Sequence, residues 1–163
     1  MEKASALDAF FKPKSVAIVG ASSDPKKPGH TALKNLVSMG YQGKVFPVNP
    51  REDSILGFPC HRNMLEIPEP VDVCVLLVSA DLTMQVAGEL LERKRRHDDV
   101  QAAVCMSAGF GELGTPEGKE RERELVQTLR SASIRLVGPN CVGVIDAYSG
   151  FNTSFDIPSY PKG

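Results

Sequence analysis

Five short apolar runs alternate with longer amphipathic segments along most of the chain. The runs cover residues 16–19, 44–48, 71–78, 101–106 and 134–137. Apolar and polar residues do not alternate strictly in these runs, as they would in a half-buried strand. Continuous apolar runs are typical of strands covered on both faces. Segments with helical spacing lie at 28–39, between Asp81 and the basic cluster at 93–96, and at 117–131. The alternation predicts βαβ units, in which a helix connects two parallel strands.

These units predict an α/β fold, namely a Rossmann-like, doubly wound and mainly parallel five-stranded sheet with helices on both faces. In such a sheet the strands end at one edge, and ligands bind there where the strand order reverses. A polar or glycine-rich turn follows each predicted strand. The turns are Gly20-Ala21-Ser22, Asn49-Pro50-Arg51, Ser79-Ala80, Ser107-Ala108-Gly109 and Gly138-Pro139-Asn140. We therefore expect the binding site to lie among them.

Length and composition are those of one ordinary globular domain, with 163 residues, 42% of them hydrophobic. We expect this domain to cover residues 1–150 and a linker towards an absent following domain to cover 151–163. A net charge of -1 argues against a nucleic-acid partner held by a basic surface. No apolar stretch reaches the roughly 18 residues of a membrane helix. Since no secretory signal is visible either, we expect a cytoplasmic protein without a membrane partner.

Several polar residues are expected to serve the fold and not a ligand. Asp81 is predicted to cap the third long helix. The cluster Arg93-Lys94-Arg95-Arg96 falls at the end of that helix, where positive charge complements the helix dipole. The four cysteines lack the spacing of a zinc site, so we expect no bound metal.

The turn after the first strand differs from that of NAD-binding proteins. Gly20 is followed by no other glycine until Gly29, so the G-x-G-x-x-G fingerprint is missing. The loop between them is polar and partly basic, and Ser22, Ser23 and Lys26 are candidates for binding phosphate. Because the loop leads into a helix, the positive end of the helix dipole also favours an anion there.

The end of the second predicted strand narrows the choice of ligand. NAD sites carry an acidic residue there for the ribose 2′-hydroxyl. This chain instead has Asn49, Pro50 and Arg51. An arginine suits a phosphate on the ribose, which it can bind through two hydrogen bonds. Both NADP and coenzyme A (CoA) carry such a phosphate, so these residues leave both ligands open.

Five segments together resemble a known family. SVAIVGASSDP, GKVFPVNP, VSAD, SAGFGELG and GPNCVGV, in this order, are similar to the CoA-binding domain of the succinyl-CoA synthetase α-subunit superfamily. Within it the chain looks most like the N-terminal domain of ADP-forming acyl-CoA (acetyl-CoA) synthetases. The resemblance covers about residues 7–150, and GPNC after a strand is its most specific part.

The resemblance implies coenzyme A as the cofactor and a role for residues at each turn. The implied contacts are Gly20, Ser22 and Ser23 with the CoA phosphates, Asn49 and Pro50 with the adenosine, Val78 and Ser79 with the nucleotide or the pantetheine arm, Met106, Ser107 and Ala108 with the pantetheine amides, and Asn140 towards the thiol. A lysine of succinyl-CoA synthetase falls at Glu52 here, which leaves Arg51, Lys26 or Lys27 to supply the positive charge. A glutamate of that enzyme is replaced by Ala108, which favours backbone contacts with the pantetheine.

The activity implied by the resemblance is acyl-CoA + ADP + phosphate = acid + CoA + ATP, or its reverse. This chain would bind CoA and position its thiol, and further domains or a β-type ATP-grasp subunit would supply the rest. Alone it is expected not to be catalytic. Two alternatives remain at this stage. One is an NADP-binding oxidoreductase or redox-sensing Rossmann module, and the other is a stand-alone CoA-binding regulatory protein.

Overall fold

The computed structural model describes residues 7–156, which contain nine strands. The strands are β1 Ser15–Val19, β2 Lys44–Val48, β3 Ser54–Ile55, β4 Phe58–Pro59, β5 Val73–Leu76, β6 Ala102–Cys105, β7 Arg135–Val137, β8 Ile145–Asp146 and β9 Phe151–Asn152. Five of them form the central sheet in the order β2-β1-β5-β6-β7, and every neighbouring pair is parallel. The other four form two small antiparallel hairpins, β3–β4 and β8–β9.

Helices cover both faces of this sheet. They are α1 Asp8–Phe11, α2 Pro28–Ser38, α3 Ala80–His97 and α4 Pro116–Ser131, with short 3₁₀ turns at Met64–Glu66 and Gly111–Leu113. On one face, Leu33 and Leu36 of α2 pack in a buried cluster with Ile18 of β1. On the other face, Leu90 of α3 and Leu125 of α4 belong to a second buried cluster. The predicted doubly wound, parallel five-stranded fold is therefore confirmed.

The strand order places a reversal between β1 and β5. The chain runs from β1 to β2 on one side of the sheet and then crosses to β5 on the other side of β1. Val19 lies beside Val48 of β2 and beside Leu76 of β5, so these three strands end at the same level. The point between their carboxyl ends is where a doubly wound sheet binds its ligand.

The helix α3 begins earlier than the sequence pattern suggested. Ser79 is the N-cap residue, and its hydroxyl oxygen accepts a hydrogen bond from the Leu82 N–H at 3.4 Å. The prediction that Asp81 caps this helix is wrong. Asp81 instead lies in the first turn, where its negative charge suits the dipole and its carboxylate is 3.3 Å from the Arg121 guanidinium.

The prediction that the cluster 93–96 complements the helix dipole holds for the last-turn residues 94–96 and is wrong for Arg93, which is buried. Its side chain is only 1% exposed and pairs with the Asp99 carboxylate at 2.6 Å. The guanidinium also donates to three backbone oxygens, those of Met64, Ile67 and Glu69. These bonds hold the segment 64–69 against α3. Breaking a buried pair of this kind typically costs about 3–5 kcal/mol, because a charge is left buried without its partner.

The chain keeps regular structure on both sides of residue 150, where the sequence predicted a linker to begin. Ile145–Asp146 and Phe151–Asn152 pair as a hairpin, and the Phe151 ring lies 5.3 Å from that of Tyr41. Residues 151–154, the start of the predicted linker, are buried. The end of that linker, residues 157–163, lies outside the described residues, and the division of the chain at residue 150 stays a prediction. Within residues 7–156, no helix is long and apolar enough to cross a membrane.

Candidate functional site

The parallel sheet brings all five predicted turns to one edge. Two hydrogen bonds each connect a pair of neighbouring turns. The Asn49 side chain, after β2, donates from Nδ2 to the Ala21 carbonyl oxygen at 2.8 Å. The Asn140 N–H, after β7, donates to the Ser107 carbonyl oxygen at 3.0 Å. The edge therefore has two connected regions. The first is formed by the ends of β1, β2 and β5, and the second by the ends of β6 and β7.

In the first region, two glycines allow the backbone after β1 to lie directly against its neighbours. Gly20 has a φ of +90°, and a Cβ atom there would lie 2.3 Å from the Leu77 carbonyl oxygen. At Gly29, in the first turn of α2, a Cβ atom would lie 1.9 Å from the Gly20 carbonyl oxygen. Both distances are far below van der Waals contact. The start of α2 is thus packed against the turn after β1, and a larger residue at either glycine would push them apart.

Two backbone N–H groups of this turn are left without a protein partner. Within residues 7–156, no group accepts a hydrogen bond from the N–H of Ala21 or Ser22. Both residues are buried, and both precede the N-terminus of α2. Buried N–H groups are rarely left unpaired. Together with the helix dipole, they fit an anion such as a phosphate.

The Ser23 N–H, by contrast, is already paired. It donates to the Glu52 carboxylate at 3.0 Å, and this bond holds the pKa of Glu52 below its usual value. Nearby Lys27 and His30 lower this pKa further, although less strongly. Ser23 is exposed, and its side chain also hydrogen-bonds to Glu52, which lowers the same pKa. The role of Glu52 escaped sequence reasoning, because 29 positions separate it from Ser23.

Side chains, and not additional glycines, shape the rest of the loop. The Ser22 hydroxyl accepts a bond from the Asp24 N–H at 3.1 Å, and the Asp24 carboxylate accepts one from the Lys26 N–H at 3.0 Å. The His30 imidazole lies 3.0 Å from the Ser22 carbonyl oxygen. The loop is therefore fixed in shape without the G-x-G-x-x-G pattern.

A cleft of about 390 Å³ opens where the strand order reverses. It is lined by Val19, Gly20, Lys27, Val48, Asn49, Pro50, Arg51, Glu52, Arg62, Asn63, Val78, Leu82, Gln85, Val86 and Glu89. Of the predicted site residues, Gly20, Asn49, Pro50, Arg51 and Val78 line this cleft, whereas Lys26 does not. Lys27, one of the three residues expected to supply positive charge, also lines the cleft. Arg62 adds a positive charge that the sequence analysis did not suggest.

The chemistry of the cleft suits a ligand with a flat apolar ring and a phosphate. Val78, Leu82 and Val86 supply an apolar wall. Lys27, Arg51 and Arg62 also line the cleft, and within residues 7–156 none of these three forms an ion pair. Segment 64–69, which Arg93 fixes, continues directly from the cleft residues Arg62 and Asn63.

The second region of the edge has no charged side chain in its two turns. The Thr83 hydroxyl of α3 donates to the Ser107 hydroxyl at 2.8 Å, and both residues are buried. Met106 is buried beside them, while Ala108 is exposed. Within the described part of the chain, the Ala108 N–H has no acceptor, which leaves it open to a ligand carbonyl.

The thiol of Cys141 also lies in this second region. It is half-buried and donates to the Cys105 carbonyl oxygen at 3.3 Å. Burial raises the pKa of Cys141, so the thiol stays protonated at neutral pH. A protonated thiol is a weak nucleophile, and this geometry gives Cys141 no activating base.

Fold and site together define a nucleotide-binding domain of the Rossmann type, in which side chains and not glycines fix the loop after β1. A family model described as "CoA binding domain" matches residues 14–147. The chain therefore belongs to the family of CoA-binding domains.

The relatives include subunits of CoA ligases. The chain is 41% identical over 150 residues to the α subunit of acetate–CoA ligase (ADP-forming) II from Pyrococcus furiosus, covering 91% of this chain and 31% of that subunit. A solved structure of acetyl-coenzyme A synthetase 1 from Candidatus Korarchaeum cryptofilum, described as dinucleotide-forming and bound to phosphate and ADP, superposes with a TM-score of 0.89 at 36% identity. That match covers 96% of this chain and 32% of the other.

A much shorter solved protein also shares the fold. A conserved hypothetical protein from Pyrococcus furiosus matches with a TM-score of 0.57 at 32% identity, covering 77% of this chain and 94% of its own. The chain thus spans about a third of the length of the ligase relatives and resembles nearly all of this shorter protein.

Proposed function

We propose that this chain is the CoA-binding part of an ADP-forming acid–CoA ligase, which interconverts acyl-CoA, ADP and phosphate with acid, CoA and ATP. Membership of the CoA-binding family and similarity to an acetate–CoA ligase α subunit support this function. The observation that carries it is the pair of unpaired N–H groups at Ala21 and Ser22, together with a cleft at the same edge that Lys27, Arg51 and Arg62 line.

In this proposal, each of the two regions of the edge binds one end of CoA. In the first region, Gly20 and Ser22 would hold the diphosphate, while Arg51 with Lys27 would hold the ribose phosphate. Asn49, Pro50 and Val78 would surround the adenosine. The second region would bind the uncharged pantetheine arm, through Met106, Ser107, Ala108 and Asn140. CoA itself brings the thiol that carries the acyl group, and the protein's task is to hold that thiol in place.

Three residues have narrower roles than the resemblance implied. Ser23 would act through Glu52, because its N–H and its side chain both hydrogen-bond to that carboxylate. Ser79 would influence the ligand only by holding the N-terminus of α3 in place, since its hydroxyl caps that helix. Lys26 lies outside the cleft and would attract the ligand's phosphates only from the surface.

The rest of the reaction would come from elsewhere in a larger enzyme. The ligase relatives are about three times as long as this chain, which supports further domains. We infer that one of them is an ATP-grasp domain or subunit that binds ADP, that residues from 151 onward lead towards the next domain, and that the enzyme works in the cytoplasm. By itself the chain would bind CoA without turnover.

Calorimetric titration of the chain with CoA, NADPH and NADH tests the ligand. We expect binding of CoA in the micromolar range and no binding of either dinucleotide. Binding of NADPH without CoA would overturn the proposal in favour of the NADP-dependent alternative. Incubation of the chain alone with acetyl-CoA, ADP and phosphate should give no ATP. Formation of ATP would contradict the proposal that the chain binds CoA without turnover.

A second candidate function is a stand-alone CoA-binding regulatory protein. The short Pyrococcus furiosus protein favours it, because that protein consists of little more than the matched fold. The reading frame of the native gene separates the two functions. A frame that continues past Gly163 into further domains supports the ligase, whereas a stop codon there favours the stand-alone protein.

A further inference from the structure

Glu52 brings a negative charge to a site that has the features of an anion-binding site. Its carboxylate accepts the Ser23 N–H at 3.0 Å and lines the same cleft as Lys27 and Arg51. Hydrogen bonding to Ser23 holds the pKa of Glu52 below its usual value, so the group is ionised at neutral pH. A carboxylate at this position lowers the attraction of the cleft for phosphate, because like charges repel.

The same carboxylate also fixes the loop that would meet the ligand. The bond to Ser23 connects the turn after β2 with the loop after β1. A second bond, from the Asn49 amide to the Ala21 carbonyl oxygen, connects the same two turns. The Ser22 N–H lies between these two contacts along the backbone, and the Ala21 N–H directly precedes them. The direction of both N–H groups therefore depends on these contacts.

We propose that Glu52 is a positioning residue with two opposed effects on CoA. It holds the N–H groups of Ala21 and Ser22 in place for the diphosphate, and its charge weakens the binding of the ribose 3′-phosphate beside Arg51. The inference rests on the proposed function, since it requires that phosphate to lie near Arg51. In this way Glu52 lowers the preference of the site for CoA over dephospho-CoA, which lacks only the 3′-phosphate.

Two ligands and two variants separate these effects. Glu52→Gln keeps an oxygen that can accept the Ser23 N–H and removes the charge, whereas Glu52→Ala removes both. The difference in dephospho-CoA affinity between Glu52→Gln and Glu52→Ala reports on the loop, because both variants lack the charge and only Glu52→Gln keeps the acceptor. The ratio of the CoA affinity to the dephospho-CoA affinity reports on the charge, because any effect of the loop applies to both ligands.

For dephospho-CoA, we expect Glu52→Ala to bind about threefold to tenfold more weakly than Glu52→Gln, as for one lost hydrogen bond. The affinity ratio should rise about twofold to fivefold in both variants, as for a single exposed charge pair. This rise should shrink at high salt, which screens exposed charges. As a control, Glu124→Gln removes an exposed carboxylate of α4 that does not line the cleft, and it should change neither quantity.

Other outcomes would overturn the inference. Tighter binding of dephospho-CoA by Glu52→Ala than by Glu52→Gln would mean that Glu52 blocks the Ser23 N–H, which then binds the ligand. An unchanged affinity ratio in both variants would mean that the 3′-phosphate lies away from Glu52. Failure of the unmodified chain to bind either ligand would instead overturn the proposed function. Thermal unfolding of each variant checks that a weaker affinity does not come from loss of the fold.

Discussion

The two regions of the carboxyl edge differ in how they are built. In the region after β1, β2 and β5, charged and amide side chains determine the shape of an irregular loop, and three cations line the cleft beside it. In the region after β6 and β7, buried hydroxyls and backbone groups determine the shape, and the turns carry no charged side chain. One edge thus offers a charged end and a neutral end, as a ligand with phosphates at one end and an amide chain at the other requires.

This difference separates two ways of stabilising a binding loop. In the first region, contacts such as Glu52 with Ser23 lie at the surface, where exchange with water keeps their net contribution small. In the second region, the bond from Thr83 to Ser107 is buried, so loss of either partner leaves a polar group without water. Substitutions in the first region should therefore act mainly on binding, and those in the second mainly on stability. Glycine contacts with the backbone are the exception to this rule.

The largest effect is expected where the first region is most tightly packed. Gly29→Ala places a Cβ atom 1.9 Å from the Gly20 carbonyl oxygen, so α2 or the turn must move. We expect a loss of about 1–3 kcal/mol in the free energy of unfolding, as for other overpacked sites. CoA affinity should fall at least tenfold, because the Ala21 and Ser22 N–H groups move with the turn. Denaturant unfolding and calorimetry measure the two effects.

Gly88→Ala is the matched control for this substitution. Gly88 also lies within a helix, but it is exposed and a Cβ atom there meets nothing within 4 Å. Alanine should stabilise α3 by up to about 1 kcal/mol, through its higher helix propensity, and leave CoA affinity unchanged. If Gly29→Ala is as well tolerated as Gly88→Ala, the turn after β1 is not held by α2.

An intermediate effect is expected at the charge beside the cleft. Arg51 is exposed, and within residues 7–156 its guanidinium forms no ion pair, so its removal should leave stability unchanged. A charge-assisted hydrogen bond contributes about 1.5–3 kcal/mol, so Arg51→Ala should weaken CoA binding about tenfold or more. Dephospho-CoA should be affected much less. Titrations at two salt concentrations measure both losses.

The control for Arg51 is Arg123→Ala. Arg123 is an exposed arginine of α4, and among residues 7–156 it forms an ion pair only with Glu120 of the same helix. Its removal lowers the net charge by the same amount, away from the cleft. An equal loss of CoA affinity in both variants would show that net charge, and not a phosphate contact at Arg51, controls binding.

Sequence patterns predicted the sheet, the three long helices and the edge that carries the site, because these follow from local features. A strand such as β1 is apolar throughout, and α2 begins at Pro28 and is followed by Gly40 with a φ of +76°. The turns then fall at one edge as a consequence of parallel topology. No long-range information is needed for any of these steps.

The features that the sequence did not predict depend on contacts between distant parts of the chain. Burial of Arg93 depends on acceptors 24–29 positions away, and the bond between Ser23 and Glu52 depends on how two loops meet. Neither has a local signature, since a lysine- and arginine-rich helix end is usually solvated. The cap at Ser79 was missed for another reason. Serine and aspartate are both good caps, and only the backbone conformation separates them.

The smallest effect is expected in the second region, and it should fall on stability. Ser107→Ala removes the acceptor of the buried Thr83 hydroxyl, which should cost about 1–2 kcal/mol in the free energy of unfolding. Thr83→Val, added to Ser107→Ala, removes the Thr83 hydroxyl that the first substitution leaves unpaired. The double variant should therefore be more stable than the sum of the two single losses in unfolding free energy predicts. Both Ser107→Ala and the double variant should keep the ratio of CoA to dephospho-CoA affinity, because neither residue lies near the cations. A changed ratio would mean that the two regions are coupled, and the edge would then have to be treated as one site.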